Sequence, residues 1–271
     1  MAIPVTLRVA IAASLAPAMS DMKPYLKAHF LQLGYDINEI DIEQGSSGYL
    51  VNRMLPGEDL HGIIDIFISA APYPMDDLEE AELVDPGNRH NMLRNTLVLI
   101  KGTQSLPCAI NNFGMVTEAN TPDVDIYIPE PKTGRNGTPY NVPAGRYARD
   151  AFKSYGNWAF AGRWAHREDS GGQPIYNVRR ALHLVSTATG PAIGTVYATD
   201  CLSDPNVSMI AVAPPEVNNR IIYPIAPLLN APIITAVPDG EDLLNDIVNY
   251  MRAPGPGMGL HFFTDRGFIA Y

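Results

Sequence analysis

The stretch that decides the fold is Leu7-Arg8-Val9-Ala10-Ile11, followed at once by Ala12-Ala13-Ser14-Leu15. Its first five residues are apolar enough to predict a buried β-strand. Residues 15 to 33 are predicted to form a helix that Gly34 ends, because glycine readily takes the left-handed conformation of a helix C-cap. A strand that passes directly into a helix is the beginning of a βα unit.

The same strand-to-helix step recurs along the chain. Further strands are predicted over 40–43, 63–68, 97–100, 125–128, 193–197 and 221–224, and further helices over 49–55, 75–81, 144–155, 178–188 and 242–251. This alternation indicates an α/β protein with mostly parallel sheets. It lapses between residues 101 and 142, which predicts a crossing between two lobes with a return near Tyr223. We therefore expect one discontinuous lobe, 1–100 with 223–271, and a second lobe over 101–222.

Composition excludes several functional classes. The chain has 271 residues and a formal net charge of -10, which argues against nucleic acid as a partner and against long-range attraction of anions. No run of about 18 apolar residues predicts a membrane span. The sequence shows no signal peptide, so we expect either a cytosolic protein or one whose leader has been removed. Cys108 and Cys201 are expected to be free thiols rather than a disulfide.

Three later segments resemble Ala12-Ala13-Ser14-Leu15 in placing small or hydroxyl residues where a helix is predicted to begin. They are Gly45-Ser46-Ser47-Gly48, Val142-Pro143-Ala144-Gly145 and Tyr176-Asn177-Val178-Arg179. A helix N-terminus has unpaired N–H groups and about half a positive charge. Several such termini directed at one point would hold a small oxyanion without lysine or arginine.

Each segment has an ordinary explanation when it is taken alone. Ser14, the Ser46-Ser47 pair and Asn177 fit simple helix caps, and Pro143 fits the first turn of a helix. Tyr197, at the end of an apolar strand, fits a half-buried aromatic residue. The combination of segments is what indicates an oxyanion site.

In order and spacing, this set resembles the molybdate-binding, substrate-binding proteins of ABC importers. The resemblance covers most of the chain. Besides the four segments above, it rests on Asp65-Ile66-Phe67-Ile68-Ser69-Ala70, the strand over 97–100, Val196-Tyr197-Ala198-Thr199-Asp200, Tyr223-Pro224 and Gly267-Phe268. The chain departs from the family's pattern before Pro143. Lys132-Thr133-Gly134-Arg135-Asn136 is polar where an apolar strand is usual, and Thr138-Pro139 replaces the common Asp-Pro.

The resemblance implies a two-lobe periplasmic-binding-protein fold of type II, with the ligand in the cleft. It also implies the donors. Hydroxyl and backbone N–H groups of Ser14 and Ser47 face the anion, with Ser46 the less favoured neighbour. The second lobe contributes the N–H groups of Ala144 and Val178 and the hydroxyl of Tyr197.

Such a donor set suits a tetrahedral dianion, which accepts hydrogen bonds but has none to donate. Each charge-assisted bond contributes roughly 1.5–3 kcal/mol, so five offset the desolvation of the anion. None of the five residues is a carboxylate, so a protonated phosphate would find no acceptor for its O–H. No cofactor and no directly bound metal are expected, and the six histidines show no metal-ligand spacing.

The sequence therefore predicts a non-enzymatic, monomeric protein that binds molybdate, and tungstate as well, and delivers it to the membrane permease of an ABC importer. The family implies a periplasmic or extracytoplasmic location. The alternative is a binding protein of the same fold for a different oxyanion or a small organic acid. An enzyme on this scaffold is the third reading, and it would need a titratable group with a perturbed pKa, for which the five residues offer only Tyr197.

Overall fold

The computed structural model describes residues 2–131, 142–165 and 175–271. Its strands are β1 (Ile3–Ala12), β2 (Tyr35–Gly45), β3 (Ile66–Ile68), β4 (His90–Arg94), β5 (Leu97–Lys101), β6 (Asp125–Tyr127), β7 (Ala192–Tyr197), β8 (Ser208–Val212), β9 (Ile222–Pro227) and β10 (Ile269–Ala270). Its α-helices are α1 (Ala16–Gln32), α2 (Ser47–Met54), α3 (Pro72–Glu80), α4 (Pro143–Ser154), α5 (Trp158–Ala161), α6 (Val178–Ser186), α7 (Ala198–Leu202), α8 (Pro215–Asn218), α9 (Pro232–Ala236), α10 (Gly240–Arg252) and α11 (Gly259–Thr264).

The chain divides into two compact units. The first comprises Met1–Arg94 and Ile222–Tyr271, and the second comprises Asn95–Ile221. The first crossing therefore follows Arg94, earlier than the predicted boundary after residue 100, and the return lies one residue before the predicted one. The difference arises because β5 pairs with β7 and β8, so it is a strand of the second unit.

The first unit is built on a six-stranded sheet in the order β10-β4-β9-β3-β1-β2. β1 pairs in parallel with β2 on one side and β3 on the other, and Ala12 lies opposite Gly45 while Ile11 lies opposite Ile68. The carboxyl ends of these three strands consequently share one edge of the sheet. α1 packs on this sheet through apolar residues spaced three or four apart, among them Met22, Leu26 and Phe30.

The second unit contains a four-stranded sheet in the order β6-β7-β5-β8. All six residues of β7 are buried, as its continuous apolar run predicts. α4 and α6 pack against this strand, and α6 buries Ala181, Leu182 and Val185 on one face. Among the described residues, both cysteines are free thiols as predicted, with Cys201 buried and Cys108 partly exposed.

The α/β class is confirmed, and most described strands of each sheet run in one direction: β1, β2, β3 and β4 in the first sheet, and β6, β7 and β8 in the second. In the first unit, β9 runs antiparallel to β3 and β4, and β10 runs antiparallel to β4. In the second, β6 and β7 are parallel, whereas β5 is antiparallel to β7 and β8. Apolar periodicity identifies strands but carries no information on their direction, which depends on how the chain re-enters each sheet.

Neither β4 nor β8 was predicted from the sequence. β4 and β8 have polar or exposed residues at most positions, so they lack the apolar pattern that identified the others. The departures noted at 132–136 and 138–139 lie outside the described residues.

Candidate functional site

Three helix beginnings lie along one edge of the first unit's sheet. β1 leads through a 3-10 turn (Ala13–Leu15) into α1, β2 leads into α2, and β3 leads through a short connection into α3. Since the three strands are adjacent and parallel and end in register, their following helices all begin at this edge. The carboxyl edge of parallel strands is where α/β proteins commonly bind ligands.

Ser14 lies in the 3-10 turn and is 6% exposed. It does not act as a helix cap, because neither the turn nor α1 has a side-chain cap hydrogen bond. Its Oγ instead lies 3.1 Å from the hydroxyl oxygen of Tyr223. The simple cap explanation of Ser14 is therefore wrong.

The two neighbouring serines before α2 have different contacts. Ser46 is the cap, and its Oγ accepts a hydrogen bond from the Tyr49 N–H at 3.4 Å. Ser47 is the first residue of the helix, and its Oγ accepts a hydrogen bond from the Ala70 N–H at 2.9 Å. Ser47 thus links the beginning of α2 to the segment after β3, whereas Ser46 caps α2. Ser47 as the ligand residue stays a prediction.

The second unit brings two further helix beginnings together. Ala144 is the second residue of α4, and Val178 is the first residue of α6. The Val142 N–H donates to the Glu130 carbonyl at 3.1 Å, and the Glu130 N–H donates to the Ile175 carbonyl at 2.9 Å. Glu130 therefore joins the chain that enters α4 to the chain that enters α6. The N–H groups of Ala144 and Val178 belong to the first turns, where no acceptor exists within the helix.

Gly145 explains why this helix beginning needs a glycine. A Cβ at this position would lie 2.2 Å from the Pro129 carbonyl oxygen, a distance no real side chain tolerates. The bare backbone lets α4 approach the segment that leads to Glu130. Asn177, in turn, is a helix cap as its residue type suggests, because its Oδ1 accepts from the Arg180 N–H at 2.8 Å.

Tyr197 ends β7 and is the N-cap residue of α7, with 1% of its surface exposed. Three residues later, Asp200 is 4% exposed in the first turn of that helix. Burial raises the pKa of Asp200 to about 7, while the charge of Arg179 and a hydrogen bond from the Tyr197 backbone act in the opposite direction. Arg179 directly follows Val178, and α6 and α7 pack against each other.

The predicted donors are thus buried at element ends in both units. Ser14 and Ser47 lie at one edge of the first unit's sheet, and the second unit holds Ala144, Val178 and Tyr197. The roles of Tyr223 and Asp200 were not predicted from the sequence. Tyr223 belongs to the Tyr223-Pro224 motif, but no local pattern in the sequence connects it with Ser14. Asp200 had a local signal, since an acid three residues after an N-cap has the spacing of a capping box.

Two other features are absent from the described residues: a group of side chains arranged to hold a metal ion and a membrane-spanning helix. Within them, no group of three or more His, Cys, Asp or Glu side chains is arranged to hold a metal ion. No described helix combines the length and apolar character that crossing a membrane requires.

Comparison with known proteins gives a consistent result. The profile of the family "Bacterial extracellular solute-binding protein" matches residues 7–239. The molybdate-binding protein ModA of Escherichia coli (strain K12) is 29% identical over 218 residues, which cover 79% of this chain and 74% of that protein. The protein of the same name from Haemophilus influenzae is 30% identical over 191 residues, covering 70% and 66% of the two chains.

A solved structure shows the same fold. The periplasmic molybdate-binding protein of Azotobacter vinelandii superposes with a TM-score of 0.67 at 16% identity, covering 97% of this chain and 98% of that one. The resemblance to molybdate-binding proteins inferred from the motifs is confirmed, and so is the type II periplasmic-binding-protein fold. The chain belongs to the family of bacterial extracellular solute-binding proteins.

Proposed function

We propose that this protein binds molybdate, and also tungstate, as the solute-binding component of an ABC importer. The relatives named molybdate-binding protein support the ligand class. Membership of a solute-binding family agrees with the expectation that the chain is not an enzyme. In this proposal Ser14, Ser47, Ala144, Val178 and Tyr197 all contact one oxyanion.

The observation that carries the proposal is the convergence of helix beginnings at the carboxyl edge of β1, β2 and β3. Each of these helices begins with N–H groups that have no acceptor within the helix. Two buried serine hydroxyls, of Ser14 and Ser47, lie at the same edge. Such an edge stabilises negative charge through oriented dipoles and needs no cationic side chain. This agrees with a net charge of -10, since the attraction acts only at short range.

Selectivity follows from the type of donor. Molybdate and tungstate are fully ionised tetrahedral dianions at neutral pH and accept hydrogen bonds from every side. Phosphate retains a proton at that pH, and because the set contains no carboxylate, this proton must compete for a hydroxyl oxygen that would otherwise donate. We therefore propose that the site discriminates against phosphate. It requires no cofactor and no directly coordinated metal.

A thermal-shift series on desalted protein tests the proposal. A ligand at 100 times its Kd adds about 2.7 kcal/mol of stability, which for a chain of this length corresponds to a rise of roughly 5–10 °C in Tm. Molybdate and tungstate should produce this rise, and phosphate should not. Sulfate and a small dicarboxylate complete the series, because a shift with one of them alone would favour the alternative ligand class. No shift with either metal oxyanion at millimolar concentration would overturn the proposal.

Three further parts of the proposal concern the cellular context. The ABC permease partner is part of this proposal, and the family description supports an extracytoplasmic location. A monomer suits a carrier that presents its ligand to a permease, and light scattering after gel filtration, with and without molybdate, tests it.

A further inference from the structure

The buried contact between Ser14 and Tyr223 joins residues 209 positions apart, with their hydroxyl oxygens 3.1 Å from each other. Each hydroxyl has one proton, so one of the two donates and the other accepts. The phenol is more acidic than the serine hydroxyl and hence the better donor. With Tyr223 donating, the serine oxygen is the acceptor in this pair, and the serine proton remains available for another partner.

Tyr223 is held firmly in place beside Ser14. Its side chain is fully buried, and its ring stacks edge-on against Phe268 with a centroid distance of 5.4 Å. Its backbone lies in β9, opposite Leu93 of β4. A hydroxyl on a ring fixed by packing loses little freedom when it forms a hydrogen bond, which makes it an effective positioning group.

Ser47 shows the same arrangement with a donor whose direction is certain. The Ala70 N–H can only donate, so Ser47 Oγ accepts at 2.9 Å and keeps its own proton for a further partner. With Tyr223 donating, Ser14 and Ser47 each accept one hydrogen bond from a group of the first unit. One of the two lone pairs on each oxygen is thereby occupied, which favours the orientation in which the hydroxyl proton points to a ligand.

We propose that Tyr223 is a positioning residue that fixes Ser14 as a hydrogen-bond donor and thereby contributes to the selection of fully deprotonated oxyanions. The inference rests on the proposed function, because it assumes that Ser14 contacts the anion. Without the phenol, Ser14 can rotate its proton away and accept a hydrogen bond from a protonated anion. Tyr223 thus acts on specificity through Ser14 and does not touch the ligand.

The test is a double-mutant cycle with molybdate, using calorimetry on wild type, Tyr223→Phe, Ser14→Ala and the double variant. Tyr223→Phe should weaken molybdate binding about three- to tenfold, as expected for the loss of one hydrogen bond. In the Ser14→Ala background, the same change should alter affinity less than about twofold, because no hydroxyl remains to be positioned. The ratio of molybdate to phosphate affinity, from competition, should fall in Tyr223→Phe.

Tyr250→Phe is the matched control. The Tyr250 hydroxyl also lies in the first unit and donates to the Gly257 carbonyl at 2.8 Å, in contact with neither serine. Its removal should leave both the molybdate Kd and the phosphate ratio unchanged. If Tyr223→Phe does not fold, replacement of Tyr223 by 3-fluorotyrosine keeps the ring and strengthens the donor, and should tighten molybdate binding.

The outcomes separate the inference from the function on which it rests. If wild type binds molybdate but Tyr223→Phe binds it equally well or better, the inference is wrong and the proposed function stands. The same holds if Tyr223→Phe weakens binding equally with and without the Ser14 hydroxyl, since that result indicates a purely structural effect. If wild type does not bind molybdate, both proposals fall.

Discussion

The two units offer their expected donors in different chemical forms. In the first unit they are the side-chain hydroxyls of Ser14, which lies within hydrogen-bond distance of the Tyr223 hydroxyl, and of Ser47, which accepts from the Ala70 N–H. In the second they are mainly backbone N–H groups at Ala144 and Val178, together with the hydroxyl of Tyr197. The first set depends on residue identity, whereas most of the second depends on the path of the backbone. Substitutions should therefore act on the first unit by removing donors and on the second by displacing them.

The largest effect is expected from Gly145→Ala in the second unit. The added Cβ would lie 2.2 Å from the Pro129 carbonyl oxygen, so α4 or its neighbour must move. We expect a loss of about 3 kcal/mol in the free energy of unfolding, at the upper end for overpacking, and weaker molybdate binding as the Ala144 N–H is displaced. Denaturant titration and calorimetry measure both.

Gly190→Ala is the control for that change, since a Cβ at position 190 meets nothing within 4 Å. It should change the free energy of unfolding by less than about 1 kcal/mol. Equal losses in the two variants would show that the close approach at Gly145 does not matter.

Tyr197→Phe removes the one side-chain donor expected from the second unit while the ring remains. Molybdate binding should weaken by roughly 1.5–3 kcal/mol, the contribution of a hydrogen bond to a charged acceptor. Calorimetry gives the Kd, and circular dichroism confirms the fold. Wild-type affinity in this variant would restrict the second unit's contribution to its backbone.

Ser47→Ala and Ser46→Ala separate ligand contact from helix capping in the first unit. Ser47→Ala should weaken molybdate binding by roughly 1–3 kcal/mol, because it removes a donor and leaves the buried Ala70 N–H without its acceptor. Ser46→Ala should cost about 1 kcal/mol of stability, as for other lost caps, with a smaller change in affinity. The opposite ranking of the two affinities would assign the ligand to Ser46.

The smallest effect concerns pH and belongs to Asp200. Burial raises its pKa in the folded protein to about 7 from 3.8. The folded state therefore holds the proton more tightly, so the free energy of unfolding should fall as pH rises from about 4 to about 7 and then level off. Asp200→Asn should flatten this fall by about 1 kcal/mol between pH 5 and pH 6.

The pH profile of the variant must be compared with that of wild type, because burial also raises the pKa of Asp65 in the first unit. Asp65 therefore also lowers the free energy of unfolding as pH rises. The difference between the two profiles isolates the contribution of Asp200. Parallel profiles would show that Asp200 is ionised in the folded protein at pH 5.

Much of the local structure was predictable. The apolar strand before Ala12, the helix that Gly34 ends with a φ of +94°, and the cap at Asn177 each follow from short-range rules of burial and backbone conformation. The candidate residues were found because helix beginnings have recognisable residue types. The polar β4 and exposed β8 were missed because their residues form no apolar period.

By itself, the sequence determined where helices begin and which small or hydroxyl residues stand there, because capping and apolar periodicity act over a few residues. Only the tertiary structure decided that β5 belongs to the second unit, that the sheets are mixed, and that Ser14 meets Tyr223 rather than capping its helix. Such contacts join distant parts of the chain. They depend on how strands pair and how side chains pack once the loops have closed, and no local pattern encodes that.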